Sequence, residues 1–206
     1  MKAFQVLIII ALLSSCKSNV RKLPYYDTAD FTPKWELPAD IAFHQIRAFT
    51  FTTQENETFS EKNMEGKICV ADFFFTSCPG ICPKLAGSMG ALQTAFLNDD
   101  EILLLSHTVT PQKDSVPVLK KYAENNGVDY KRWKLLTGKQ SDIYDLGRKY
   151  YFVEEDLGVN SDSTVFLHTE NFVLVDKNRY IRGIYNGLDP NSMEALKQDI
   201  AVLKKE

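Results

Sequence analysis

The sequence predicts an α/β domain in which a mixed β-sheet lies between helices and carries an added N-terminal β-hairpin. Two near-continuous apolar runs, Lys67 to Phe75 and Glu101 to Val109, lack the alternation of half-exposed strands and are typical of central strands covered on both faces. Each run is followed by a segment with helical periodicity. Strands and helices therefore alternate through the middle of the chain.

The remaining elements follow from local patterns. The stretch from Ile46 to Ser60 alternates apolar and polar residues around a polar centre, which indicates a hairpin. The helices after the two central strands should bury Leu85, Met89, Leu92 and Phe96 in the first case and Val116, Leu119, Tyr122 and Ala123 in the second, with an end near Gly127.

Beyond Gly127 we expect a short strand in RWKLLTG and a short helix in SDIYDLGRKYY capped by Ser141. A hairpin should turn at Asp176-Lys177-Asn178, and a last helix should bury Met193, Leu196, Ile200 and Leu203. This order is the thioredoxin arrangement, in which reactive cysteines lie where the first central strand turns into its helix.

The N-terminus has the features of an exported lipoprotein. The apolar block from Val6 to Leu13 is too short to span a bilayer, so residues 1–15 are expected to be a signal peptide. Small residues precede Cys16 as in a bacterial lipobox, which predicts a lipid on that sulfur and a lipid-anchored, extracytoplasmic location in the bacterial cell envelope. We expect a tether over residues 16–40 and one domain over residues 41–206.

The charge balance excludes one class of partner. The formal net charge is −3, and removal of the signal peptide makes the chain more negative because it takes away the positive charge of Lys2. A nucleic-acid-binding surface needs a cluster of basic residues, and the sequence has none.

Three cysteines remain if Cys16 carries a lipid. Cys69 lies in an apolar run and is expected to be an inert buried thiol. Cys78 and Cys82 are separated by three residues, and this spacing alone allows a redox pair, a metal clamp or two packed thiols. Because Pro83 favours the first helical position, Cys82 is predicted to be the N-cap, with its thiolate stabilised by the helix dipole.

A metal site needs a third ligand, and the chain has three histidines. We interpret His44 and His107 as structural, whereas His168 directly precedes a predicted strand near the cysteines and is the candidate ligand. Two thiolates with one imidazole suit Cu(I), because soft sulfur ligands select that ion, and imidazole tolerates both oxidation states, so the expected cofactor is copper as Cu(I), Cu(II) or both. Structural zinc sites usually have four protein ligands, and no fourth is evident.

Three longer stretches carry a recognisable pattern: DFFFTSCPGICP around the cysteines, TPQKDSVPVLKKYAENNG in the second crossover and LHTENFVLVDKNRYIRGIYNG near the end. Together they resemble the Sco/SenC family of copper-binding cytochrome c oxidase assembly proteins. The resemblance implies a thioredoxin-like fold and a copper site formed by Cys78, Cys82 and His168. Two positions depart from the family's usual pattern: Leu167 stands where an acidic residue is common, and Thr110 replaces an aspartate, although Asp114 fits.

The resemblance implies a membrane-tethered copper chaperone rather than an enzyme. Its expected partners are the copper-centre subunit of cytochrome c oxidase and other copper carriers. The alternative is a thiol-disulfide oxidoreductase in which Cys78 and Cys82 form the redox pair that reduces such a subunit or other envelope proteins. A peroxidase of the peroxiredoxin type is a third hypothesis, for which Thr76 is present but no arginine lies in the loop.

Overall fold

The computed structural model describes residues 21–39, 42–153 and 169–206. Cys16 and His168 therefore lie outside the described residues, as does the predicted signal peptide. The described elements, in chain order, are β1 (Thr50–Thr53), β2 (Thr58–Ser60), a 3-10 turn (Glu61–Met64), β3 (Ile68–Phe74), α1 (Cys82–Ala95), β4 (Ile102–Thr108), α2 (Val116–Asn125), β5 (Trp133–Thr137), α3 (Gln140–Lys149), β6 (Asn171–Val175), β7 (Ile181–Asn186) and α4 (Pro190–Leu203).

The strands form one mixed sheet in the order β2-β1-β5-β4-β3-β6-β7. Strands β3, β4 and β5 are parallel, whereas β1 pairs antiparallel with β5, and β6 pairs antiparallel with β3. The β1-β2 hairpin extends one edge, and the β6-β7 hairpin forms the other. The predicted α/β class, the mixed sheet and the added N-terminal hairpin are confirmed.

The sheet has two covered faces, which we name by their contents. The site face packs under α1, α2 and α4, which bury Leu85, Leu119 and Leu196 against it. The aromatic face packs against α3 and the segment before β1, and its cluster includes Phe49, Phe51, Phe59, Phe73 and Tyr151. All seven residues of β3 and all seven of β4 are buried, as the missing alternation predicted.

Two predicted helix starts are wrong by one or two residues. Ile81, with helical angles φ −82° and ψ −28°, is the N-cap of α1, so Cys82 is the first helical residue. The Ile81 carbonyl oxygen already accepts hydrogen bonds from the amides of Lys84 and Leu85, which places the cap one residue earlier. Ser141 does not cap α3, because its hydroxyl donates to Asp142 and Lys139 takes the cap position.

Part of the predicted tether packs on the domain. Leu23 is buried, and Tyr26 forms a bridge to Ile181 at the edge of β7. Arg182 donates to the carbonyl oxygens of Leu23 and Pro24 at 2.8 Å and 3.0 Å, and its guanidinium lies 4.0 Å from the ring centroid of Tyr25. The apolar and aromatic residues of this stretch explain why it adheres to the sheet edge. None of the helices in the described parts of the chain is long and apolar enough to cross a membrane.

Candidate metal centre

The two cysteines of the CPGICP motif lie at one end of the central strand. Cys78 is in the loop that follows β3 and is half-buried, whereas Cys82 opens α1 and is 5% exposed. Both are free thiols. The parallel strands β3 and β4 both end here, so the loops after them surround the cysteines. Ligand sites in open parallel sheets lie at this carboxyl edge.

The two thiols differ in acidity. Burial disfavours the Cys78 thiolate, but hydrogen bonds from the Cys82 thiol and from the amides of Cys82, Gly80 and Ile81 outweigh that effect and lower the Cys78 pKa. Burial and the hydrogen bond to Cys78 raise the pKa of Cys82. The expectation that Cys82 carries the thiolate is therefore wrong. The amides at the start of α1 point at the Cys78 sulfur instead.

A buried carboxyl group lies within electrostatic reach of Cys82. Asp72 lies on β3, is 3% exposed and has its side chain on the site face. Its charge raises the Cys82 pKa. Burial raises the Asp72 pKa to about 7, and a hydrogen bond with Ser106 partly opposes this rise. Ser106 also accepts a hydrogen bond from the indole nitrogen of Trp133 at 2.8 Å. Sequence reasoning missed Asp72, although a lone carboxylate in an apolar strand is a usable signal.

Tyr122 adds a phenol to the same region. It lies on α2 with its ring 5.3 Å from that of Phe74, and it is half-buried. Burial raises its pKa, and the charges of Asp72, Cys82 and Cys78 raise it further, so these groups lie within electrostatic reach of its hydroxyl. The sequence pattern placed Tyr122 on the apolar face of its helix. Its polar end near the cysteines was not predicted.

A buried aspartate, Asp114, fixes the residues that precede Cys78. Asp114 is fully buried, and its carboxylate accepts hydrogen bonds from the Thr76 hydroxyl at 2.5 Å and the Thr76 amide at 3.2 Å. The hydroxyls of Thr108 and Thr110 also donate to it, the latter at 3.0 Å. These bonds join the loop after β3 to the loop after β4. The Thr76 hydroxyl is thereby engaged two residues before Cys78.

The other sequence candidates lie away from the cysteine pair. Cys69 is fully buried on the aromatic face and its pKa is raised by burial, in agreement with an inert thiol. His44 stacks on Phe152 at 4.4 Å, and its Nε2 lies 2.9 Å from the Tyr150 carbonyl oxygen. His107 is enclosed by aromatic rings on the aromatic face. Both histidines are thus structural, as predicted.

The described residues supply two metal donors at this place. Within residues 21–39, 42–153 and 169–206, no group of three or more His, Cys, Asp and Glu side chains is arranged to hold a metal ion. The paired sulfurs, one of them with a lowered pKa, have the chemistry of a site for a soft ion such as Cu(I). The predicted third ligand, His168, lies outside the described residues.

Comparison with known proteins agrees with this geometry. A model described as SCO1/SenC matches residues 40–204. The SCO1 protein homolog of Bacillus subtilis is 28% identical over 159 residues, which cover 76% of this chain and 81% of that protein. A SCO1/SenC family lipoprotein from Bacillus anthracis str. Ames is 27% identical with a TM-score of 0.68, over 78% of this chain and 95% of that one.

Two further solved structures are similar. BsSco, reported with a disulfide switch and as a member of the Sco family of cytochrome c oxidase assembly proteins, is 27% identical with a TM-score of 0.65, over 82% of this chain and 98% of that one. Yeast Sco1 with copper bound is 22% identical with a TM-score of 0.59, over 77% of this chain and 89% of that one, which shows the shared thioredoxin-like fold. By the extent of the family match, this chain belongs to the SCO1/SenC family.

Proposed function

We propose that this protein is a copper carrier of the bacterial cell envelope that assists assembly of the copper centre of cytochrome c oxidase. Cys78 and Cys82 bind Cu(I) through their sulfurs, and His168 supplies the third ligand through its imidazole. The lipid on Cys16 holds the protein at the membrane, where the oxidase copper-centre subunit and other copper carriers are its partners. Family membership supports this assignment, as do the copper-bound yeast Sco1 and the lipoprotein from Bacillus anthracis.

The observation that carries the proposal is the unequal thiol pair at the start of α1. Copper binds thiolates, so the free energy of binding includes the cost of removing a proton from each sulfur. The lowered Cys78 pKa reduces that cost for the first sulfur. Cys82 keeps its proton until the metal displaces it, because burial raises its pKa. Metal binding should therefore release protons, and acid should favour metal release.

The neighbours of the pair support exchange of the metal rather than permanent retention. Cys78 is half-buried and stands in a loop, so a partner's sulfur can approach it. Asp114 fixes the residues before that loop through Thr76, which limits how far the Cys78 sulfur moves when the ion leaves. A soft ion passes between carriers when one sulfur at a time is replaced, which requires an accessible donor.

The test is an anaerobic titration of the reduced protein with Cu(I) against a competing chelator. One copper per chain should bind, and Cys78→Ser, Cys82→Ser and His168→Ala should each weaken binding by at least about tenfold, since each removes one ligand. Cys69→Ala and His44→Ala serve as matched controls because these residues lie away from the pair. Binding that survives Cys78→Ser or Cys82→Ser would sink the proposal.

Thiol-disulfide exchange is a second candidate function, favoured by Asp72. In this reaction the Cys78 thiolate attacks a partner disulfide, forms a mixed disulfide and releases one partner thiolate. Cys82 then loses its proton, attacks the Cys78 sulfur and releases the second partner thiolate. Asp72, a carboxyl group with a pKa of about 7 within electrostatic reach of Cys82, is suited to accept that proton. The disulfide switch reported for BsSco supports a closed Cys78–Cys82 bond in this chain.

The two candidate functions differ in whether they require the third metal ligand, His168. Reduction of an oxidised copper-subunit peptide should require both cysteines and should be unaffected by His168→Ala, because no metal takes part. Cys82→Ser should trap the mixed disulfide at Cys78, which mass spectrometry detects. A reduced protein that leaves the peptide oxidised at every pH from about 6 to 9 would eliminate this candidate.

A further inference from the structure

The segment before β1 exposes large apolar side chains. Trp35 is 63% exposed and Leu37 is 39% exposed, and Pro33 and Pro38 beside them are also exposed. The other tryptophan of the chain, Trp133, is 2% exposed in the core. An exposed cluster of this kind marks an interaction site more often than an isolated exposed residue does.

This cluster, which we call the Trp35 surface, is fixed to the domain. Lys34, adjacent to Trp35, forms a backbone bridge to Tyr25, with N–O distances of 2.7 Å and 2.9 Å. Tyr26 in turn forms a bridge to Ile181 on β7, and Arg182 holds the preceding carbonyl oxygens. The Trp35 surface therefore moves with the sheet, and whatever it contacts orients the whole domain.

Few residues separate the predicted lipid attachment point from the described part of the chain. Arg21 forms a salt bridge to Asp199 at 2.8 Å, and Arg21 and Trp35 line the same cavity as Tyr185 at the edge of β7. Five residue steps separate Arg21 from Cys16, which allows a reach of at most about 17 Å. A lipid on Cys16 would hold Arg21 within that distance of its attachment point, and the Trp35 surface lies across the same cavity.

We propose that the Trp35 surface docks into the interfacial layer of the membrane that holds the Cys16 lipid. Trp35 and Leu37 enter the headgroup region, where tryptophan is favoured because its ring is apolar and its N–H is polar. The described residues 21–39 carry three basic and three acidic side chains, so apolar contact rather than net charge provides the attraction. This inference rests on the lipid anchor of the proposed function.

Docking would fix which edge of the sheet faces the membrane. Strand β7 is parallel to β3, because each of them is antiparallel to β6. Tyr185 is therefore near the end of β7 on the Cys78 side of the sheet, whereas Ile181, which forms the bridge to Tyr26, is at the opposite end. A domain held by this edge would lie with β7 along the membrane surface. The lipid then restricts orientation as well as position.

The experiment measures tryptophan emission of the full lipidated chain in vesicles of phosphatidylethanolamine and phosphatidylglycerol, with and without brominated acyl chains. Bromine quenches only nearby indoles, so Trp35 should lose at least about half of its emission, while the buried Trp133 is protected. Trp35→Phe gives the signal of Trp133 alone. High salt should leave the quenching unchanged, because the segment has no net charge.

The matched control is Tyr130→Trp in the Trp35→Phe background, since Tyr130 is 46% exposed on a different part of the domain. Quenching confined to Trp35 and weakened by Leu37→Asp supports docking. Equal quenching at both positions, loss of quenching at high salt, or no quenching would overturn it. Mass spectrometry of the same sample reads acylation of Cys16, and its absence would overturn the inference while leaving the copper titration to judge the carrier function.

Discussion

Among the ionisable side chains that the two faces of the sheet bury, two lie on neighbouring strands and can be compared directly. Asp72 on β3 faces the site face, and His107 on β4 faces the aromatic face. Burial raises the Asp72 pKa to about 7 and lowers the His107 pKa to about 3, so both groups are neutral in mildly acidic solution. Their surroundings otherwise differ.

Asp72 has Ser106 as a hydrogen-bond partner and affects the pKa of Cys82, whereas neither ring nitrogen of His107 has a partner among the described residues. The His107 ring stacks on Phe73 at 5.0 Å and has the rings of Phe49, Phe51 and Tyr151 around it. Asp72 and His107 are therefore similarly buried but differ in what they can contribute to the protein. The charge of a buried acid can change the acidity of a thiol within its reach, while an imidazole among aromatic rings contributes packing.

The largest expected difference between the faces is in cysteine reactivity. Alkylation by iodoacetamide of the native, reduced protein should modify Cys78 first and Cys69 at least about a thousandfold more slowly, because Cys69 reacts only when the core opens. The Cys78 rate should reach its plateau at a lower pH than that of a cysteine peptide, since its pKa is lowered. Mass spectrometry of digested time points measures both rates. Comparable rates for Cys69 and Cys78 would contradict the contrast between the faces.

The second prediction concerns Asp72→Asn, which should stabilise the protein at pH 8 by up to about 4 kcal/mol. The folded-state pKa of Asp72 is raised, so folding holds its proton more tightly and wild-type stability falls as pH rises from about 4 to about 7. Asparagine has no proton to lose, so the gain should vanish below pH 4. Urea unfolding from pH 4 to 8 measures it, and a gain that is independent of pH would refute the mechanism.

Most of the fold follows from pattern alone. The two unbroken apolar runs became β3 and β4, and the last helix buries Met193, Leu196, Ile200 and Leu203 as its spacing predicted. These features depend on burial periodicity, which a sequence displays directly. The helix caps at Ile81 and Lys139 were missed because either of two neighbouring residues can accept the first hydrogen bond, and propensity separates them weakly.

The two cysteines of the candidate site could be predicted from the sequence, but the relative acidity of their thiols could not. Cys78 and Cys82 were identified from the motif, but which of them is more acidic depends on where the amides of Gly80 and Ile81 point. Tyr122 reaches the site only because α2 packs beside α1 on one face. Such contacts join residues far apart in the chain, so no local pattern records them.

The third prediction tests the opposite face with His107→Leu. Because the folded-state pKa of His107 is lowered, the unfolded chain binds more protons, and wild-type stability is lost as pH falls from about 6.5 toward 3. The variant should gain about 3 kcal/mol relative to wild type at pH 4 and change little at pH 8. Thermal unfolding at both pH values measures this. The pH trend is opposite in sign to that of Asp72→Asn, and a matching sign would break the comparison.

The smallest predicted effect is that of Asp114→Asn, the same change as Asp72→Asn but at a carboxylate that accepts several hydrogen bonds. Asp114 is fully buried like Asp72, but it accepts four hydrogen bonds from Thr76, Thr108 and Thr110, whereas one carboxylate oxygen of Asp72 has no partner in the part of the chain that the structure describes. Asp114→Asn turns one acceptor into a donor that faces hydroxyl donors, so it should destabilise the protein by about 2 kcal/mol at pH 8.

The same chemical change is thus expected to stabilise at Asp72 and destabilise at Asp114. Asp114→Asn should also broaden the NMR signals of Thr76 and Cys78, since the loop before the cysteine loses its fixed attachment to the β4 end of the sheet. Urea unfolding and amide spectra of the two variants at one pH decide the matter. If both variants shift stability in the same direction, the number of hydrogen-bond donors around a buried carboxylate does not set its contribution in this fold.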